Sequence, residues 1–167
     1  GHGGQTSRRE DPEEADGMDE YICPHDTDTP GADITDDELA QWLGEIPAAV
    51  SMVLLDSCNS GGFRDDICAV PGRIGLFASE EDLLSYTYEE RKAGGILAHL
   101  LARGFMGEAD LDYNGVITAG ELSDYLLTQM PTIHITDGDH MARQAQHPES
   151  GRTVDYGTIL VELRPES

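Results

Sequence analysis

Two residues in this chain have the types and spacing that nucleophilic catalysis needs. His2 stands in Gly1-His2-Gly3-Gly4, and Cys58 follows 56 residues later in Asp56-Ser57-Cys58-Asn59-Ser60-Gly61-Gly62. A thiol attacks as its thiolate, so it needs a neighbour that takes its proton or lowers its pKa from about 8.5, and a histidine can do both. The glycines around both residues let backbone approach a substrate carbonyl, where N–H groups can stabilise an oxyanion. Taken singly, His2 reads as a surface or packing residue and Cys58 as a small buried hydrophobe; the information lies in the pairing.

A second stretch has the chemistry of a hard cation. Residues 110–121 read Asp-Leu-Asp-Tyr-Asn-Gly-Val-Ile-Thr-Ala-Gly-Glu and match an EF-hand loop at every diagnostic position. Asp110, Asp112 and Asn114 would bind through side chains and Val116 through its carbonyl. Thr118 would act directly or through water, Glu121 would close the site with both oxygens, and Gly115 supplies the sharp turn. Oxygen ligands at this spacing favour calcium over zinc. The same residues also have a simpler reading, since Thr118 and Glu121 form a capping box for the next helix and Asn114-Gly115 is an ordinary turn.

The elements that must carry these residues follow from periodicity. Thr35-Asp36-Asp37-Glu38 is a capping box, and Leu39, Trp42, Leu43 and Ile46 follow at helical spacing, which predicts a helix over 36–45. Pro47 ends it. Residues 50–55 form an apolar run expected to be a parallel strand buried on both faces, with Asp56-Ser57-Cys58 at its carboxyl end, where open α/β sheets bind their ligands. A second strand is expected over 74–78, helices over 93–105 and 119–130, and strands over 132–136 and 158–163 with a polar loop at 137–155. Residues 8–38 hold thirteen of the 33 acidic residues among several prolines and glycines, which predicts a surface excursion with a short strand at most over Tyr21-Ile22-Cys23.

Gly-His-Gly, about fifty residues, and then an apolar strand followed by Asp-Ser-Cys-x-Ser-Gly resembles the caspase-like cysteine peptidases, the metacaspases and their prokaryotic relatives in particular. Phe77-Ala78-Ser79, Ser85-Tyr86 and Gly94-Gly95-Ile96-Leu97 extend the resemblance. It implies a caspase-like α/β sandwich, a mostly parallel sheet with helices on both faces. By the same resemblance His2 is the catalytic base, Cys58 the nucleophile, and the N–H groups of Gly3 and Cys58 the oxyanion hole. Asp56 falls where metacaspases place an acidic group in the pocket for the residue before the cut, which implies cleavage after Arg or Lys. Its plainer reading is a strand-end residue that caps the next turn. Calcium-dependent metacaspases also carry four carboxylates whose matching positions here are Asp19, Asp36, Asp37 and Asp65. Read without the resemblance, Asp36 and Asp37 are first-turn residues favoured by the helix dipole. The cysteine motif lacks the Gln-Ala-Cys pattern of animal caspases, so cleavage after aspartate is not implied.

The chain begins on Gly1 with no element before His2, so residues 1–167 read as a partial peptidase domain, incomplete at its N-terminus, with the missing N-terminal half of the catalytic domain as its first partner. A formal charge of −23 repels phosphate backbones and anionic lipid surfaces, which excludes nucleic-acid binding as an expectation. No apolar run reaches the length of a membrane helix, and three cysteines suit a reducing, cytoplasmic compartment. A surface with one lysine and this much acid would suit a salt-rich cytoplasm. The expected activity is cysteine endopeptidase action on proteins or peptides with basic residues; Arg91-Lys92 would suit self-cleavage, but its favoured reading is an exposed turn. The competing readings are a non-catalytic calcium-binding regulatory module of the same fold and a legumain-like or separase-like peptidase.

Overall fold

The computed structural model describes residues 1–7, 17–29, 31–80, 95–130, 134–137, 140–145, 149–152 and 154–163, with the three groups between 134 and 152 described by backbone alone. Ser85, Tyr86, Arg91, Lys92 and Gly94 lie outside the described residues.

The chain starts in a hairpin. β1 (His2–Ser7) pairs antiparallel with β2 (Met18–Cys23), placing His2 opposite Cys23, Gly3 opposite Ile22 and Gly4 opposite Tyr21. β3 (Ile34–Thr35) joins the far side of β2. The expected excursion over 8–38 thus contains more strand than Tyr21–Cys23, and His2 opens a strand that the sequence did not predict. His-Gly-Gly-Gln-Thr-Ser has no alternation of apolar residues; its extended form comes from the partner strand. Tyr21 lies across Gly4, where a Cβ would stand 2.7 Å from the phenol oxygen, so the ring covers the strand's bare backbone.

The capping box forms as expected at the start of α1 (Asp36–Gly44). The Thr35 hydroxyl accepts the Glu38 N–H, and the Glu38 carboxylate accepts the Thr35 N–H, both at 3.3 Å. β4 (Ser51–Leu55) follows, then a short 3-10 turn (Ser60–Gly62), α2 (Phe63–Ala69) and β5 (Arg73–Phe77). β4 and β5 run parallel, Ser51 opposite Arg73 and Leu55 opposite Phe77. β5 is buried along its whole length. Ile74, Leu76 and the following Ala78 pack into one apolar cluster, with α3 (Ile96–Arg103) and α4 (Ala119–Gln129), while Phe77 joins Val53, Phe63 and Ile67 in another. Leu39 and Leu43 of α1 pack against this second cluster. The first residue of β5, Arg73, is buried and donates to the Ser51 hydroxyl and to the Leu43 carbonyl at the end of α1, tying strand starts to a helix C-terminus.

Two expectations are corrected here. The strand over 50–55 was expected to be buried on both faces, yet Leu54 is 42% exposed and Val50, just outside the strand, 44%. Its inner face packs through Val53, and no described residue covers Leu54 fully. The sheet was expected to be mostly parallel, whereas β4–β5 is the one parallel pair among the described residues. β9 (Glu149–Arg152) adds antiparallel to β5, and the remaining pairings are antiparallel too. The polar loop expected over 137–155 holds β9 and also β8 (His140–Ala145), which pairs with β7 (His134–Asp137). The result is a mixed α/β structure with helices packed on β5 from both sides.

After α3 the chain turns through a π-helical segment, Gly104–Glu108, in which Gly107 has φ +121°, a conformation open to glycine. The loop at 110–118 ends in β6 (Val116–Thr118), which pairs antiparallel with β10 (Ile159–Glu162). Among the described residues no helix is long and apolar enough to cross a membrane.

Candidate active site

The start of β1 meets the carboxyl end of β4 through the two residues that flank His2. The backbone nitrogen of Gly1 donates to the Asp56 carbonyl at 2.6 Å. Two residues on, Gly3 lies so close to the turn that a Cβ on it would stand 2.5 Å from the Cys58 carbonyl and 3.2 Å from the Ser57 hydroxyl. His2, exposed, thus lies between two residues whose backbone touches positions 56 and 58, and Cys58 is half-buried. Only glycine fits at position 3, because its neighbours there are backbone atoms that cannot move aside.

The turn itself is locked from beneath. Asn59, next to Cys58, adopts a left-handed conformation at φ 55° and ψ 20°, which asparagine tolerates better than most residues. Ser60 is fully buried, and its hydroxyl accepts the N–H groups of Ala78 at 3.0 Å and Ser79 at 3.3 Å, beyond the end of β5. The Ser79 hydroxyl donates back to the Ser57 carbonyl at 3.3 Å. The thiol loop is thus bolted to the neighbouring parallel strand by side-chain bonds. Ser60→Ala takes this acceptor from the buried Ser79 N–H, while the Ala78 N–H keeps the Leu55 carbonyl at 3.0 Å, and is expected to lower stability by about 1–3 kcal/mol; urea denaturation of variant and wild type measures it. On the other side Glu20 of β2 is buried, bonded to Gln5 at 2.8 Å, and packed so tightly on Gly62 that a Cβ there would lie 2.2 Å from its Oε2. Ser60 was legible as part of Cys-x-Ser-Gly; nothing in the sequence marked Glu20 as the support of that turn.

Asp56 has its carboxylate at the start of α3. Its Oδ2 accepts the Ala98 N–H at 3.0 Å, so it caps a helix 42 residues away rather than the next turn.

The carboxylates expected to gather near the site do so in part. Asp19 of β2 and Asp36 of α1 are both buried and their side chains interact; the Asp37 N–H donates to Asp36 Oδ1 at 3.0 Å, while Asp36 Oδ2 has no hydrogen-bond partner among the described residues. Burial, then the interaction with Asp19, then the charges of Asp19 and Asp66 push the Asp36 carboxyl up to about 8, against the pull of the Asp37 N–H. Asp65 sits elsewhere: its side chain is 84% exposed and bonded to Arg64 at 2.9 Å. Asp66, half-buried one position along α2, is the residue whose charge reaches Asp36. One residue on a helix turns a side chain by about 100°, a difference that spacing from Cys58 alone does not resolve.

In the loop after α3, carboxylate oxygens of Asp110, Asp112 and Glu121 lie within 4.8 Å of one another. Asp110 accepts the N–H groups of Asn114 and Gly115 at 3.0 Å each, and Asn114 donates from its side chain to Asp112 at 2.9 Å. Glu121 accepts from the Leu111 N–H at 3.2 Å, the Thr118 N–H at 3.0 Å and the Thr118 hydroxyl at 2.7 Å. Burial acts to raise the Glu121 carboxyl, but these bonds outweigh it and hold the group below the usual range. The capping box and the gathered carboxylates therefore coexist, and the two readings of this loop are not exclusive. Val116 lies in β6, paired with β10, and an open pocket of about 400 Å³ is lined by Leu111, Asp112, Asn114, Thr118, Glu121 and Tyr156.

The remaining cysteines take no part at this site as described. Cys68 is half-buried in the cluster around Phe77, and burial pushes its thiol up, away from reactivity. Cys23 stands opposite His2 in the hairpin.

A thiol just past the carboxyl end of a parallel strand is the arrangement found here. Residues 1–66 match the family model described as Metacaspase, peptidase C14 domain, and this match supports a caspase-like, metacaspase assignment. That family points to a cysteine protease acting on proteins. The matched segment contains His2, Asp56 and Cys58 and ends before the loop at 110–121. No curated protein matches the chain.

Proposed function

We propose that residues 1–167 are the C-terminal part of a caspase-like cysteine endopeptidase domain, an α/β sandwich completed by an upstream half. The observation that supports this reading is the seating of Gly1 and Gly3, the residues on either side of His2, on the turn of Asp56 and Cys58. Cys58 gives its proton to His2 and its Sγ bonds to the scissile carbonyl carbon. The carbonyl oxygen takes the negative charge, and the N–H groups of Gly3 and Cys58 stabilise it. The C–N bond then breaks as His2 protonates the leaving amine. Water, deprotonated by His2, attacks the thioester, and the C–S bond breaks to release the acid and the thiol. Asp56 recognises Arg or Lys before the cut.

Calcium is the cofactor of this proposal. Asp19 and Asp36 offer buried oxygen acceptors, Asp36 Oδ2 without a hydrogen-bond partner among the described residues, and this donor set fits a hard cation. Asp37 adjoins them on α1, and Asp66 or Asp65 would complete the set from α2. When bound there, calcium neutralises carboxylates that otherwise repel, and orders β2 and α1 beside the site. Among the described residues the three cysteines form no disulfide, in keeping with a reducing, cytoplasmic setting.

Hydrolysis of fluorogenic peptides ending in Arg, Lys or Asp tests the reading, with the chain alone and joined to its native upstream segment, with and without calcium. Calcium-stimulated cleavage after Arg or Lys is the expected result. Cleavage after Asp alone would favour a different His/Cys peptidase, and no turnover from a folded protein would favour a regulatory module.

That second reading has one observation of its own, the convergence of Asp110, Asp112 and Glu121 in an EF-hand-like loop. Calorimetric titration with calcium is expected to give heat with wild type and to lose it in Glu121→Ala. Equal silence in both would remove calcium from this loop.

A further inference from the structure

We propose that Gly95 and the first turn of α3 set the specificity of the site, by holding the Asp56 carboxylate in place for a basic substrate side chain. The inference deepens the reading of Asp56 given above and rests on it. Asp56 is the first residue beyond β4, where its two side-chain torsions would otherwise let the carboxylate swing. Two contacts stop that. The Ala98 N–H donates to Oδ2 at 3.0 Å. The backbone of Gly95 lies flat against the group, so that a Cβ there would stand 1.9 Å from Oδ2, 2.2 Å from Cγ and 2.3 Å from Oδ1.

Helix α3 needs this contact as much as Asp56 does. Ala98 is the third residue of the helix, so its N–H has no partner within it, and Gly95 at the cap position has no side chain to offer. Asp56 therefore supplies the cap from another part of the chain. A carboxylate has about four acceptor positions, so it can receive a guanidinium or ammonium group while the Ala98 N–H stays bonded. Gly95 is thus a positioning residue: it touches no substrate, but any side chain there would drive the specificity carboxylate out of its seat.

The test compares kcat/KM for two fluorogenic peptides that differ only in arginine or uncharged, isosteric citrulline before the cut. The enzymes are the chain joined to its native upstream segment, as wild type, Asp56→Asn, Gly95→Ala and Ala98→Pro. The last removes the donor N–H without adding bulk at Gly95, and proline is tolerated in a first helical turn; it carries the test if Gly95→Ala does not fold. Wild type should prefer arginine and Asp56→Asn should lose that preference. Gly95→Ala and Ala98→Pro should reduce it by about ten- to a hundredfold, mainly in KM. Citrulline turnover and the alkylation rate of Cys58 by iodoacetamide should stay within about twofold of wild type in both. Intact arginine preference in a folded Gly95→Ala or Ala98→Pro, or an equal loss on both peptides, would overturn the inference and leave the contact as a helix cap only. Absence of arginine preference in wild type, or its survival in Asp56→Asn, would overturn the reading of Asp56 itself and the inference with it.

Discussion

Cys58→Ala is expected to reduce peptide hydrolysis by at least about a thousandfold while leaving the folded chain as stable as wild type to within about 0.5 kcal/mol. The loss follows from the chemistry: without Sγ there is no acyl-enzyme, and the oxyanion donors and the substrate pocket retain only what binding and polarisation supply. Stability is spared because Cys58 is half-buried, and the turn around it is held by groups other than its own side chain: the Ser60 hydroxyl, the Ser79 hydroxyl, and the close seat of Gly3 on the Cys58 carbonyl. Progress curves on an arginine-ending peptide measure the first part and urea denaturation the second. His2→Ala should lose activity to a similar degree yet leave a thiol that iodoacetamide still alkylates, which separates the two roles. Activity surviving in Cys58→Ala would move the nucleophile elsewhere in the chain.

Asp36→Asn is expected to stabilise the calcium-free chain and the gain should grow with pH. The folded carboxyl is raised to about 8 from an ordinary value near 3.8, chiefly by burial and then by its interaction with Asp19. A group whose charged form is disfavoured in the fold does no harm below its unfolded pKa. As pH rises through the window between about 4 and 8, the unfolded state ionises freely while the folded state must either hold the proton or bury a second charge beside Asp19 and within reach of Asp66. Wild type therefore loses stability across that window. Asparagine keeps an acceptor for the Asp37 N–H and adds no charge, so its melting temperature in chelator should exceed wild type by about 5–10 °C at pH 8 and by less at pH 5. With saturating calcium the order should reverse, since the variant has lost a charged ligand. A difference that does not change with pH would mean that Asp36 titrates as an ordinary aspartate.

These two residues also divide what was readable from what was not. The local signals held where the deciding physics is local. Thr35 with Glu38, and Thr118 with Glu121, close capping boxes because the partners are three residues apart on one turn. β5 and α4 follow their apolar pattern, and the Asp-Ser-Cys stretch sits at the end of β4 as its strand-then-glycine pattern implies. His2 and Cys58 were identifiable by type and spacing, and the segment that holds them is the one that matches the metacaspase family.

What depended on distant partners was decided by the tertiary structure. β1 has no strand pattern and exists through β2; the burial of β4 depends on which faces other elements cover, and Leu54 is left open. Whether Asp65 or Asp66 faces Asp36 turns on the rotation of α2, fixed by Phe63 and Ile67 in the core. That Asp56 caps α3 requires two segments 42 residues apart to meet, and that Glu20 supports the thiol turn requires β2 to pack on Gly62. By itself the sequence determined α1, β4, β5 and α4, the two capping boxes and the resemblance of its first residues to a peptidase family, because propensity, capping and periodicity act over a few residues. The tertiary structure alone decided which carboxylate meets which partner, because burial and hydrogen bonding depend on neighbours that the chain brings together only when it folds.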